Sequence, residues 1–135
     1  MAKSTPIIVV IDDSPTSISL YRLSADPLDV ELVIFQSPID SLAWLEDNDA
    51  DLLFLDVLMR EKDGLTILKK VRNIERHQDT VAVMVTSKDY AQDRQVAKSL
   101  GAIEYLVKPL RSQEIRDLIT RYTEAQPKAG AASAP

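Results

Sequence analysis

The sequence predicts an α/β domain of (βα)5 order, an open, doubly wound sheet of five parallel strands, and three observations lead there. Five short apolar runs rich in β-branched residues recur along the chain, each gap between them is long enough for a helix, and five strands are too few for a closed eight-stranded barrel. Strict alternation of strand and helix implies right-handed crossovers, with helices covering both faces of the sheet.

In chain order, the first strand is Ile7–Ile11. Ser14-Pro15 then reads as an N-cap and first helical residue, and Ile18, Tyr21 and Ala25 fall on one face of the helix that follows. The second strand is Val30–Phe35; Ser37-Pro38 repeats the capping device, and Ile39, Leu42 and Ala43 give the second helix its apolar face. Leu52–Leu55 is the third strand, followed by a helix carrying Leu65, Leu68 and Val71. Val81–Val85 is the fourth, followed by Val96, Ala97 and Leu100, with Gly101 as the C-cap. Ile103–Val107 is the fifth, and Ile115, Leu118, Ile119 and Tyr122 line the last helix. The first, third and fourth runs are almost purely apolar, as strands buried on both faces must be, so they are expected at the centre.

With 135 residues, 45% hydrophobic and 27% charged, the chain suffices for one domain with a real core. Residues 5–124 are expected to form it. From Gln126 the sequence runs Gln-Pro-Lys-Ala-Gly-Ala-Ala-Ser-Ala-Pro without a bulky apolar anchor, so residues 125–135 read as a disordered tail or the start of a linker. Sixteen Lys and Arg against 21 Asp and Glu give a net charge of −5, which disfavours direct nucleic-acid binding. The chain has no cysteine, so disulfides, thiolate metal sites and cysteine nucleophiles are excluded. No apolar run is long enough to span a membrane and no signal sequence opens the chain, so a soluble, cytoplasmic protein without membrane contact is expected.

In open α/β sheets ligands bind beyond the carboxyl ends of the strands. The residues there are Asp12-Asp13 after the first strand, Asp56 after the third, Thr86-Ser87 after the fourth and Lys108-Pro109 after the fifth. Three carboxylates gathered on one edge repel one another unless a cation intervenes. Mg²⁺, which takes one or two carboxylates together with phosphate oxygens, suits such a site; one histidine and no cysteine make zinc a poor competitor. With a phosphoryl group present, Thr86 would donate a hydrogen bond, Lys108 would supply a point charge, and Asp56 would be the acceptor.

These residues resemble the receiver domain of bacterial two-component response regulators, the CheY-like proteins. The pattern stands here as Asp12-Asp13-Ser14, then Asp56-Val57-Leu58-Met59-Arg60-Glu61-Lys62-Asp63-Gly64, Thr86-Ser87 and Lys108-Pro109, and the likeness spans roughly residues 5–124. It implies a flavodoxin-like sheet of strand order 2-1-3-4-5. It also implies a Mg²⁺-dependent switch that takes a phosphoryl group from a histidine kinase or phosphotransfer protein onto Asp56, and that is an enzyme only toward its own phosphoryl uptake and loss. Carried over, Asp13 and Asp56 would ligate Mg²⁺, with the Leu58 main-chain carbonyl as a third ligand and Asp12 acting through water. Thr86 and Lys108 would hold the phosphoryl group, Tyr105 would be the switch aromatic paired with Thr86, and Lys108-Pro109 would be a cis peptide. The family often has proline where Arg60 stands, so a less rigid loop is expected after Asp56, and Leu58 and Lys88 flank the acceptor. Output would pass through the face of the fourth helix, fifth strand and fifth helix, with Arg94 and Arg121 meeting a downstream partner or a second copy.

Three competitors fit less well. A Mg²⁺-dependent phosphatase with an Asp nucleophile needs that nucleophile after the first strand and a second Asp two residues on, whereas Asp12 and Asp13 are adjacent. A flavodoxin-type cofactor carrier would offer hydroxyls and glycines, not two acids, to an anionic phosphate. An unphosphorylated receiver-like scaffold has no need of the full residue set. Trp44 reads as partial core and His77 as a solvated residue near a helix C-terminus.

Overall fold

The computed structural model describes residues 5–129. Its elements are β1 (Ile7–Ile11), α1 (Pro15–Ala25), β2 (Glu31–Phe35), α2 (Pro38–Asp47), β3 (Leu52–Asp56), α3 (Gly64–Arg72), a 3-10 turn (Glu75–His77), β4 (Val81–Thr86), α4 (Ala91–Ser99), β5 (Glu104–Val107) and α5 (Ser112–Tyr122). The strands form one parallel sheet in the order β2-β1-β3-β4-β5, as expected.

Period-two alternation sorts the strand residues between two cores. Ile8, Val10, Leu52, Phe54, Val83 and Val85 face Tyr21 of α1 and Ile115, Leu118 and Ile119 of α5. Val9, Ile11, Leu53, Leu55, Ala82 and Met84 face Leu45 of α2, Ile67, Leu68 and Val71 of α3, and Ala97 of α4. β1, β3 and β4 are buried along nearly their whole length, so they are the centre of the sheet. Ser14 and Ser37 cap α1 and α2 ahead of Pro15 and Pro38, and Gly101 closes α4 with φ of +79°.

The inward face of α2 differs from the expected one. Ile39 and Ala43 are exposed, while Pro38, Ser41 and Leu45 are buried. Ser41 tolerates this because its hydroxyl donates to the Pro38 carbonyl at 2.6 Å, leaving nothing polar unpaired. On α4, Val96 points out and Ala97 in.

His77 corrects the solvated reading: it is fully buried. Its Nε2 lies 2.9 Å from both the Leu45 and Asn48 carbonyls, and its Nδ1 2.8 Å from Thr80 Oγ1. The ring thus closes the C-terminal end of α2, and the two carbonyls it meets there, 29 and 32 residues away, lie too far off in sequence to be read. Beside it the Arg72 guanidinium donates to the Leu100, His77 and Thr80 carbonyls, joining α3 to the end of α4.

The chain beyond α5 stays docked further than composition suggests. Ala125 is buried, Asp29 N donates to the Gln126 carbonyl at 2.7 Å, Lys128 N donates to the Pro27 carbonyl at 2.8 Å, and Leu28 bridges Pro127. Main-chain pairing holds this segment, which is why a bulky side chain is not required. The rest of the expected tail, residues 130–135, lies outside the described residues.

Candidate functional site

The carboxyl ends of β1, β3, β4 and β5 bring Asp12, Asp13, Asp56, Thr86 and Lys108 to one edge of the sheet. β3 and β4 each run one residue past their expected ends, so Asp56 and Thr86 are rigid ladder positions paired with Val85 and Val107. Asp12 is buried; one oxygen accepts from Ser14 N at 2.8 Å and the other from Lys108 Nζ at 2.9 Å. The same ammonium lies 3.4 Å from Asp56 Oδ2. Asp13 accepts from Arg60 N at 2.9 Å.

Asp56 is 5% exposed, and its Oδ1 is buried with no hydrogen-bond partner among the described residues. Burial and the neighbouring Asp12 push its carboxyl up to about 6, against the pull of Lys108 and with a smaller push from Asp13. Tyr21, beneath the site, is pushed up as well, first by burial and then by Asp12 and Asp56.

Three carboxylates, from Asp12, Asp13 and Asp56, each offer an oxygen within 4.8 Å of the others. Hard oxygen donors, an unpartnered buried oxygen and like-charge repulsion fit a divalent cation of the Mg²⁺ type. Over them opens a cleft of about 670 Å³, lined in part by Asp13, Asp56, Leu58, Ser87, Lys108 and Pro109, so a small anionic group can reach Asp56 from solvent. Leu58 itself is exposed.

Thr86 is fully buried, and its hydroxyl is engaged by its own loop, donating to the Lys88 carbonyl at 3.0 Å and accepting from Lys88 N at 3.1 Å. Tyr105 lies diagonally across from Thr86 on the same face of the sheet. Its hydroxyl is buried and has no hydrogen-bond partner among the described residues, while Arg94 stacks 4.6 Å from its ring centroid. Burial, then Asp93 and Asp89, push that phenol up. Lys108-Pro109 is cis, as expected.

Sequence reasoning missed four contributors: Gly64, Asp63, the main-chain N–H of Arg60 and the carboxylate of Glu61. A Cβ on Gly64 would stand 2.0 Å from the Asp56 carbonyl oxygen, so α3 packs against the acceptor strand only with glycine at that position. Asp63 caps α3 by accepting from Leu65 N and Thr66 N. Main-chain Arg60 N and the Glu61 carboxylate, which accepts from Ser37 Oγ at 2.8 Å, tether the loop expected to be less rigid. A backbone donor leaves no signal in side-chain identity.

Residues 8–120 match the family model described as response regulator receiver domain. The chain is 34% identical over 111 residues to the cyclic di-GMP phosphodiesterase response regulator RpfG of Xanthomonas campestris, covering 81% of this chain but 29% of that protein. It is 34% identical over 108 residues to the transcriptional regulatory protein CpxR of Klebsiella pneumoniae, covering 80% of this chain and 45% of that one. The chain therefore spans less than half the length of these two relatives. The fold is similar to that of the Vibrio cholerae chemotaxis protein CheY4, with a TM-score of 0.81 at 22% identity, covering 89% of this chain and all of that one.

Proposed function

The chain belongs to the response regulator receiver domain family, which makes it a phosphorylation-activated switch of two-component signalling, and we propose that Asp56 is the residue that takes up the phosphoryl group. Receiver domains bind Mg²⁺ at an acidic pocket and interact with histidine kinases and downstream effectors. Here the receiver unit would occupy residues 5–124. Among the described residues no helix is long and apolar enough to cross a membrane.

One observation carries the choice of Asp56 over its neighbours: its Oδ1 alone among the carboxylate oxygens of the site is buried without a partner, beneath an open cleft. In the transfer, an Asp56 oxygen bonds to phosphorus as the P–N bond of a phosphohistidine donor breaks, the electron pair leaving on the imidazole nitrogen. Asp13, Asp56 and the Leu58 carbonyl, with Asp12 through water, would hold Mg²⁺, which when bound neutralises charge crowded among carboxylates and phosphoryl oxygens. Lys108 sits within reach of Asp56 to face one phosphoryl oxygen.

For Thr86 to donate to another phosphoryl oxygen it must give up the Lys88 carbonyl, so its reorientation loosens the loop after β4. Tyr105, diagonal to it, would follow. Moving an equilibrium from 1:99 to 99:1 takes about 5.5 kcal/mol, whereas one hydrogen bond contributes about 1 kcal/mol net, so either Thr86, Lys108 and loop ordering act together or the switch is partial. The α4, β5 and α5 face, bearing Arg94 and Arg121, would carry the result to a downstream partner or a second copy.

The test is incubation with acetyl phosphate and Mg²⁺ followed by intact mass measurement. The expected result is a gain of one phosphoryl group, absent from Asp56→Asn; full labelling of that variant would remove Asp56 from the role.

A further inference from the structure

We infer that the loop between β3 and α3 is a two-ended clamp that positions Asp13 for a divalent cation, with the main-chain N–H of Arg60 at one end and the Glu61 carboxylate at the other. The inference deepens the reading above, because it takes Asp13 as a cation ligand.

Asp12 has two partners, Ser14 N and Lys108 Nζ, whereas Asp13 has one among the described residues, Arg60 N at 2.9 Å to Oδ2. That single donor fixes one oxygen of the carboxylate and leaves the other available. Proline at position 60 would carry no N–H, so the clamp exists because this chain has a different residue there. A hydrogen bond to a ligating carboxylate is the kind of outer contact that sets metal affinity.

The next residue fastens the loop. Glu61 Oε1 accepts from Ser37 Oγ at 2.8 Å and from Ile39 N at 3.3 Å, adding its charge to the N-terminus of α2, where an anion is favoured. Arg60 and Glu61 thus link the end of β1 to the start of α2 through the loop after β3. Coupling of this kind is reciprocal, so a cation that settles Asp13 also settles the loop on α2. Trp44, the only tryptophan, lies on α2 with its ring 5.7 Å from that of Phe35 and reports that movement.

The experiment is a Mg²⁺ titration of the full chain by calorimetry, with Trp44 fluorescence and metal-free melting temperature recorded alongside. Arg60→Pro is expected to weaken Mg²⁺ binding about tenfold, the lower end of what lost outer contacts cost a metal site. Arg60→Ala, which keeps the N–H, should bind as wild type does. Glu61→Ala should bind several-fold more weakly and lose the fluorescence response, and Glu61→Gln should restore both, since its amide oxygen accepts the same two hydrogen bonds. Wild-type affinity in Arg60→Pro, or equal weakening in Arg60→Ala, overturns the clamp while Asp13→Ala still abolishes binding. Unchanged Mg²⁺ binding in Asp13→Ala removes Asp13 as a ligand, and the clamp with it.

Discussion

Replacing Asp56 by Asn should stabilise the domain at neutral pH, by an amount that shrinks as the pH falls. The carboxyl is raised from an ordinary 3.8 to about 6, chiefly by burial and by Asp12. A raised folded-state value means that the folded state holds its proton more tightly than the unfolded chain. The favourable contribution is therefore complete below about pH 4 and is lost as pH rises toward 6; beyond that, the ionised group carries its full burden. Each unit is 1.36 kcal/mol, so two units correspond to about 3 kcal/mol at pH 7.5. The value of about 6 already includes the pull of Lys108, which keeps Asp12 when Asn replaces Asp56, so the discount left to make is for the wet cleft onto which the site opens; a net gain of about 1–2 kcal/mol follows. For a domain of this size that is a rise in melting temperature of about 4–8 °C. The assay is thermal unfolding of wild type and Asp56→Asn from pH 4 to 8 without divalent cations. A variant no more stable than wild type at pH 7.5, or one whose advantage is the same at pH 4, would refute the electrostatic reasoning.

Gly64→Ala sets a methyl group 2.0 Å from the Asp56 carbonyl oxygen and should destabilise the fold by about 3 kcal/mol or more, read by denaturant unfolding. His77→Ala leaves the Leu45 and Asn48 carbonyls without their shared donor and opens a cavity, so a loss of about 2–4 kcal/mol is expected in the same assay. Leu58 lines the cleft over Asp56 with an apolar side chain that cannot orient an attacking water; Leu58→Asn should shorten the phosphoryl half-life measured by mass spectrometry after donor removal. Tyr105→Ala and Arg94→Glu should weaken the phosphorylation-dependent part of partner binding or self-association, and two variants that respond as wild type does would move the output surface off this face.

Side-chain chemistry and its spacing are sequence properties, so the nearly continuous apolar runs of β1, β3 and β4 and the Ser-Pro starts of α1 and α2 already specified a sheet buried on both faces. The acids at two strand ends, the threonine and the lysine were legible for the same reason, because strand direction alone sends them to one edge. Tertiary structure decided what depends on a neighbour distant in sequence. The sequence offers Ile39, Leu42 and Ala43 as the apolar face of α2, and contact with the sheet buries Pro38, Ser41 and Leu45 while leaving Ile39 and Ala43 exposed. Burial of His77 waited on carbonyls 29 and 32 residues away, and docking of Ala125 to Lys128 on main-chain groups of Pro27 and Asp29. The partner of Asp13 is a backbone N–H that nearly every residue type carries, so only the folded loop could select it.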